Sequence, residues 1–509
     1  MKAITMALAL ALTLGCAAAG ADETPAGYDR ERVEALHNSL LEALKLIDAE
    51  PQDNAAIAAA LKPILADPSF PYLAEDERHA AYRAEGSALV IVKDFAGGLP
   101  WLQKASQMPE ADEDDWDFRL QAALALDDWN DAAQSATVLA QRWPDKLGEY
   151  NDSAFWRLAR GLDSKPELEG VETELLKALH AIKWKPQDEF STADSLWFSL
   201  VRLHLQHDEV PGALVVAGDI SEPNYFLDMQ SDRRFDAVIE SDPGHFDVMA
   251  AYEARLARER AQSAAEPDKL EGINAVAETL MTLGRDSEAM ALIESALARN
   301  KADPKAFSDA ADYLKWSLDI HSRLLFAAGR SDEAFQALAD GAKQDEVGRA
   351  NVSQRINLAD EYVTFDRPRG ALGAVENVED AKPSAYGLMA LADARARAYF
   401  ELGDTTNLEK TLAWMKAHAQ DGTHPYLVAL LFAGRLDEAA AEVIAELRDP
   451  AARTGALRRV QTYLPDGHMP PRAEALHANW IAVRDRADVQ AEIAKVGHVH
   501  SYALYGAAF

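Results

Sequence analysis

The chain has 509 residues, with 51 lysines and arginines against 84 aspartates and glutamates, and a formal net charge of −33. So acidic a surface repels phosphate backbones and anionic headgroups, which excludes nucleic acid as a natural partner and favours a basic one. A single cysteine, Cys16, excludes a disulfide framework, so stability must come from burial.

The N-terminus has the pattern of a bacterial secretory signal. Lys2 is the only charge before Asp22, Ala3 to Leu14 is an apolar run, and small residues fill 15–21. The run is shorter than the ~20 apolar residues of a membrane-spanning helix. Two processing routes fit. Ala19-Gly20-Ala21 is an A-x-A site, which would cut after Ala21 and leave Asp22 as the mature N-terminus. Thr13-Leu14-Gly15-Cys16 resembles a lipobox, in which Cys16 would be lipidated, although Thr13 and Leu14 depart from the usual residues. Cleavage at Ala21 is the favoured route, and no membrane span then remains. The expected location is the periplasm or the exterior, or the outer membrane if Cys16 carries lipid.

Beyond residue 21 the expected order is an irregular helical-repeat lobe over 22–220, a connection over 221–245, a more regular solenoid lobe over 246–465, and capping helices with a tail over 466–509. Two helices fall within 28–65, repeat-like hairpins within 76–145, and longer hairpins within 150–219. In 221–245, Pro223, Tyr225-Phe226-Leu227 and Asp242-Pro243-Gly244 interrupt the helical period. A long helix follows from Phe246 to about Ser263.

The clearest unit is Ile273 to Asn300. Ile273, Val276, Ala277, Leu280 and Leu283 share one helix face. Gly284 suits the left-handed position that ends a helix, and Asp286 or Ser287 can cap the next one. Ala289, Leu292, Ile293, Ala296 and Leu297 repeat the pattern, so the two segments form an antiparallel helical hairpin. The layout recurs around Gly329, Gly403 and Gly434, with Thr406 and Glu409 spaced as a capping box. Asp366 marks a degenerate copy, and Asp94 and Asp128 mark earlier ones. Turn-to-turn spacings are 45, 37, 37 and 31 residues from Gly284 to Gly434, and 34 from Asp94 to Asp128. They scatter around the 34-residue tetratricopeptide period.

These segments resemble tetratricopeptide repeats (TPR). Ala289, Ala334 and Ala439 match the small residue after the turn, and Ala296 the second small position. Leu283-Gly284 and Leu402-Gly403 match part of the first-helix signature; the remaining first-helix positions and the constant period are not matched. The resemblance implies an all-α fold, a right-handed superhelical α-solenoid of antiparallel hairpins with irregular repeats. It also implies a concave surface that holds proteins or peptides.

No Walker A loop, G-x-S-x-G elbow, H-E-x-x-H pair or C-x-x-C pair is present. His204 and His207 share a helix face, but no third metal ligand is identifiable, and a partly exposed helix end explains them better. His498-Val499-His500 could hold a metal only with a fixed geometry, so ordinary histidines of a mobile tail are expected. The terminal run from Tyr502 reads as an apolar tail packed on the final hairpin. Glu110 to Asp117 holds six acids in eight residues, which reads as an acidic helix start. Seven of ten tryptophans lie between Trp101 and Trp197. Packing between helices is the simpler reading; a ligand groove, if one exists, is sought at Trp129, Trp156 and Trp197.

The expected function is therefore an exported scaffold for an unidentified protein or peptide, not an enzyme, with no cofactor, metal or catalytic residue assigned. Two alternatives stay open: a polysaccharide-binding or polysaccharide-cleaving protein, and a lipid-anchored subunit of an outer-membrane assembly.

Overall fold

The computed structural model describes residues 29–188, 190–346, 351–465 and 469–505. The signal segment, with Cys16, Ala21 and Asp22, lies outside the described residues. The chain divides into two compact units, the first ending at Leu203 and the second beginning at His204.

The first unit is a succession of helices: α1 (Arg30–Leu44), α2 (Asn54–Leu65), α3 (Glu75–Ile91), α4 (Phe95–Ala105), α5 (Glu113–Ala125), α6 (Trp129–Arg142), α7 (Asp152–Asp163) and α8 (Glu169–Ala181). The division between units falls within α9 (Asp194–Gln206). The second unit continues with α10 (Val210–Ala217), α11 (Pro223–Ser231), α12 (Asp236–Ser241), α13 (Val248–Ala265), α14 (Leu270–Thr282), α15 (Asp286–Ala302), α16 (Ala310–Ala327) and α17 (Ser331–Gly341). It then runs through α18 (Val352–Thr364), α19 (Pro368–Ala374), α20 (Ala385–Glu401), α21 (Thr405–Ala417), α22 (Thr423–Phe432), α23 (Leu436–Arg448), α24 (Arg453–Val460), α25 (Pro471–Arg484) and α26 (Ala487–Val496). Among the described residues β-structure is limited to two isolated bridges.

The hairpin turns share one backbone device. Gly284, Gly329, Gly403 and Gly434 have φ between +67° and +74°, and Asp366 takes the same role at +58°. At each, two backbone N–H groups reach back to the ending helix, as in Gly284 to Met281 and Arg285 to Leu280. This is the Schellman closure. In the first unit Lys93 and Asp127 are left-handed, one position before the aspartates that mark the turns in the sequence, and Lys183 is left-handed after α8. Asp94 and Asp128 instead cap the following helices, accepting from the N–H of Gly97 and Asp131. Two expected caps are corrected. Asp404, not Thr406, caps α21 by accepting from Asn407, and α15 starts without a side-chain cap, Asp286 being already helical.

The small residues after the turns do the packing. Ala289, Ala334 and Ala439 are fully buried, so the two helices of each hairpin approach closely. One hairpin's apolar face completes its neighbour's: Leu280, Ala289 and Ile293 share a core with Ile320 and Leu324 of the next hairpin. Each such aliphatic side chain contributes roughly 1.5–3 kcal/mol by leaving water. A Gly-Arg-x-x-Glu-Ala segment follows three turns. Its arginine pairs with the glutamate three residues on and with one on an earlier helix: Arg285 with Glu288 and Glu253, Arg330 with Glu333 and Glu294, Arg435 with Glu438 and Glu409.

The stretch 221–245, irregular in sequence, forms α11 and α12 and is part of the second unit. Its irregularity reflects short elements broken by Pro223 and Pro243, not a spacer. The second unit closes on itself there. α24 packs on α11, where Arg458 grips the buried Asp228 with two hydrogen bonds. The tail is docked, not mobile. His498 donates its N–H to Ser231 and pairs with Asp236, His500 bonds Gln230, and Tyr505 donates to Thr282 at the end of α14. It therefore packs on the start of the unit as well as on the segment after α24.

Candidate functional site

The apolar stripe of a hairpin helix needs only one face, and the second unit spends another face on polar groups. On α14 these are Asn274 and Glu278; on α16, Ser317, Asp319 and Arg323; on α18, Gln354, Asn357, Asp360 and Glu361; on α20, Asp393, Arg397 and Glu401. Spacings of three or four put Asn274 with Glu278, Asp319 with Arg323, Gln354 with Asn357 and Asp360, and Asp393 with Arg397 and Glu401 on one side of their helices.

They join across helices, one hairpin to the next. The Ser317 hydroxyl donates to Asn274 at 2.7 Å. Arg323 meets Glu278 at 3.0 Å and Asp319 at 3.2 Å. Asn357 donates to the second oxygen of this pair's shared residue, Asp319, at 2.8 Å. Arg397 reaches Asp360 on α18 and, one turn back on its own helix, Asp393 at 2.9 Å. At the far end Arg472 of α25 pairs with Glu401. The result is a polar seam over the first helices of successive hairpins, crossed by α25, which touches both α18 and α22.

The seam is unevenly satisfied. Gln354 is fully buried and neither amide atom has a hydrogen-bond partner. Asp393 is 6 % exposed, with Oδ1 unpartnered, and the Nε of Arg397 is likewise unpartnered. Burial pushes the Asp393 carboxyl up to about 7, against the pull of Arg397. Burial, with Asp360 beside it, pushes Glu361 up to about 7 as well. Burial thus disfavours the charged form of both carboxyls. His424 at the start of α22 is lowered to about 4 by burial and by Arg459 and Arg397.

The first unit treats its buried charge differently. Asp115 on α5 is fully buried, yet His79 at 2.8 Å and Arg83 at 2.7 and 2.9 Å hydrogen-bond it. Burial alone would raise its carboxyl, but these bonds outweigh that and hold it below the usual range. Asp131 is gripped by Arg119 at 2.7 and 2.9 Å, and Asp117 accepts from Tyr150. The acidic run Glu110 to Asp117 thus starts α5, with Asp112 as its cap, and also turns two aspartates inward to chain partners.

The residues singled out by sequence lie apart. His204 is buried, bonds Glu209 at 2.7 Å, and lies against Gly212, where its ring leaves no room for a side chain. His207 is exposed. Trp129 packs on Gly161 beneath Arg157, Trp156 meets Trp184 edge-on at 5.7 Å, and Trp197 is buried edge-on against His180 at 5.0 Å. They occupy three separate interhelical positions. Among the described residues no group of three His, Cys, Asp or Glu could hold a metal ion, and no helix is long and apolar enough to cross a membrane.

Paired helices, left-handed turns and buried alanines after each turn decide the architecture. The chain is an all-α, TPR-like hairpin solenoid. No protein-family model matches it, and no curated protein does. Among solved structures it is similar to yeast Tom70, with 12% identity, TM-score 0.32, and coverage of 91% of this chain and 98% of that one. It is similar also to the APC/C hetero-tetramer Cut9–Hcn1, with 13% identity, TM-score 0.31, and coverage of 92% and 96%. For Naa15/Naa10 bound to HypK-THB the values are 13%, 0.23, 81% and 68%. At such TM-scores nothing about partners or activity transfers.

Sequence reasoning missed the seam. Asp393 and Arg397, four apart on a helix, look like an ordinary solvated ion pair. A usable signal was present: the cross-helix partners are 37 to 45 residues apart, about one repeat.

Proposed function

We propose that the protein is an exported scaffold that holds a protein or peptide partner on the first-helix face of its second unit. The observation that carries this reading is the polar seam. Its groups are fixed by the first helices of successive hairpins, and among the described residues Gln354 and Asp393 keep buried polar atoms without a hydrogen-bond partner. Solenoids use extended helical faces to bind other chains. The acidic surface, with a net charge of −33, adds long-range attraction for a basic partner.

Export rests on the first 21 residues. Mass spectrometry of the protein from its native envelope tests it: a mature N-terminus at Asp22 supports simple cleavage, and lipid on Cys16 supports the anchored alternative. An unprocessed Met1 N-terminus would refute both. Crosslinking and affinity purification from envelopes tests the scaffold role. Recovery of the protein alone at native abundance, under several growth conditions, would refute it.

A further inference from the structure

We propose that the groove beneath residues 497–505 is a binding site for an extended peptide of a partner protein, and that the chain's own C-terminal segment fills it as a releasable strap. The site uses none of the seam's side chains and goes beyond the scaffold reading.

The segment is held as a sheet edge holds a peptide. Gly497 forms an antiparallel bridge with Asp232, and Ser501 a parallel one with Thr462. The N–H of His498 donates to the Ser231 carbonyl at 2.9 Å, that of Tyr502 to Thr462 at 2.8 Å, and that of Tyr505 to Thr282 at 3.0 Å. In return Thr462 and Leu464 donate to the carbonyls of His500 and Leu504, each at 2.9 Å. The Gln461 amide completes the pairing, accepting from the His500 N–H at 2.7 Å and donating to the His498 carbonyl at 2.9 Å. Pairing of this kind recognises an extended backbone, and pockets for particular side chains set its sequence. Leu504 is fully buried, and the Tyr502 hydroxyl donates to Gln230 at 2.8 Å. Gly497 has no room for a Cβ between Leu457 and the Ser231 carbonyl, and the Tyr505 ring lies where a side chain on Gly284 would be. The matching ligand is an extended segment with glycine followed by tyrosine, leucine and tyrosine at the spacing of Gly497, Tyr502, Leu504 and Tyr505.

Two observations make the strap releasable. Val499, His500, Ser501 and Ala503 are exposed, and within 497–505 only Gly497 and Leu504 are buried. The entropy of ordering such a segment offsets most of what one buried aliphatic side chain and exchanged hydrogen bonds return, which puts it at the low-stability end of its unit. Closure of the second unit also has a hold of its own, since α24 packs on α11 and Arg458 grips Asp228. Release therefore leaves the helices in place and bares the main-chain groups of Ser231, Thr462, Leu464 and Thr282. A helical partner spends its own main chain internally and cannot pair with them, whereas an extended segment can.

The test uses the full-length mature chain and the peptide Gly-His-Val-His-Ser-Tyr-Ala-Leu-Tyr, with its fluorophore beyond the last tyrosine, followed by anisotropy. Leu504→Asp withdraws the strap's buried side chain and leaves the groove unaltered. This variant is expected to bind the peptide roughly tenfold or more tightly than wild type, in which the bound strap competes. A peptide with aspartate in place of its leucine is expected to bind the variant roughly tenfold or more weakly than the parent peptide. Thr462→Pro, added to the Leu504→Asp chain, removes one N–H of the groove. Gln461 before it is already extended at ψ 162°, as a following proline requires, and the loss is again expected to be roughly tenfold. Hydrogen exchange gives an independent readout: in Leu504→Asp the amides of His498, Tyr502 and Tyr505 are expected to lose protection while α11 and α24 keep theirs. Equal affinity of wild type and Leu504→Asp, equal binding of the aspartate peptide, or loss of protection in α11 and α24 together with the strap would overturn the proposal. So would a wild-type dimer that becomes monomeric in Leu504→Asp, since a second copy's strap would then be the occupant. The seam reading stands or falls separately, by crosslinking.

Discussion

Glu85 offers the sharpest test of how this fold handles buried charge. It lies on α3 of the first unit, 5 % exposed, and its Oε2 has no hydrogen-bond partner. Burial pushes its carboxyl up to about 7 from an ordinary 4.5, with only a weak opposing pull from Lys62. The folded-state value is raised, so the group contributes full stability below the unfolded value and loses it as pH rises through the folded one. The window therefore runs from about pH 4.5 to about pH 7. One pK unit corresponds to about 1.4 kcal/mol, which puts the cost of ionised Glu85 at roughly 3 kcal/mol at pH 8. Glu85→Gln removes the charge but leaves a buried amide, which returns roughly 1 kcal/mol of that. The variant is thus expected to be about 2 kcal/mol more stable than wild type at pH 8, and equal to it or slightly less stable at pH 4.5. Urea unfolding by tryptophan fluorescence reports mainly the first unit, which holds Trp101, Trp116, Trp129, Trp143, Trp156, Trp184 and Trp197. A difference that does not change with pH, or a variant less stable at pH 8, would refute the reasoning.

Two further outcomes follow from the second unit. Gly329→Ala puts an alanine at φ +74° in open space and is expected to cost about 1 kcal/mol, whereas Gly284→Ala, at φ +71°, must also displace the Tyr505 ring; limited proteolysis within 497–505 should quicken only in the latter. Asp228→Asn breaks the bidentate grip of Arg458 that closes the unit. Burial already holds the Asp228 carboxyl above its usual range, so the loss is expected near 2 kcal/mol, below the usual cost of breaking a buried pair, and is read as faster hydrogen exchange in α11 and α24.

The hairpins were legible because their causes are local. Ile273, Val276, Ala277 and Leu280 declare a helix face within eight residues, and Gly284 declares its end by the one property that separates glycine from other residues. The caps were harder, since Asp404, Thr405 and Thr406 all suit the position and backbone geometry chooses among them. The closure of the second unit was illegible. It depends on Asp228 meeting Arg458 and His498 meeting Asp236, pairs 230 and 262 residues apart with no pattern between them. The seam lies between these cases. Each helix shows its polar positions, but whether they are solvated or packed depends on the next hairpin.

The contrast between the units bears on why the seam exists. Asp115 and Asp393 both sit on helices of stacked hairpins, both nearly inaccessible to water. Asp115 is given His79 and Arg83 and stays below its ordinary range, whereas Asp393 shares Arg397 with Asp360 and rises. The stack does not require the second arrangement, because Asn274 and Ser317 fill an equivalent crossing with a neutral, satisfied pair. Burial raises both Asp393 and Glu361, so neither is held in its charged form as Asp115 is, and the packing does not need them.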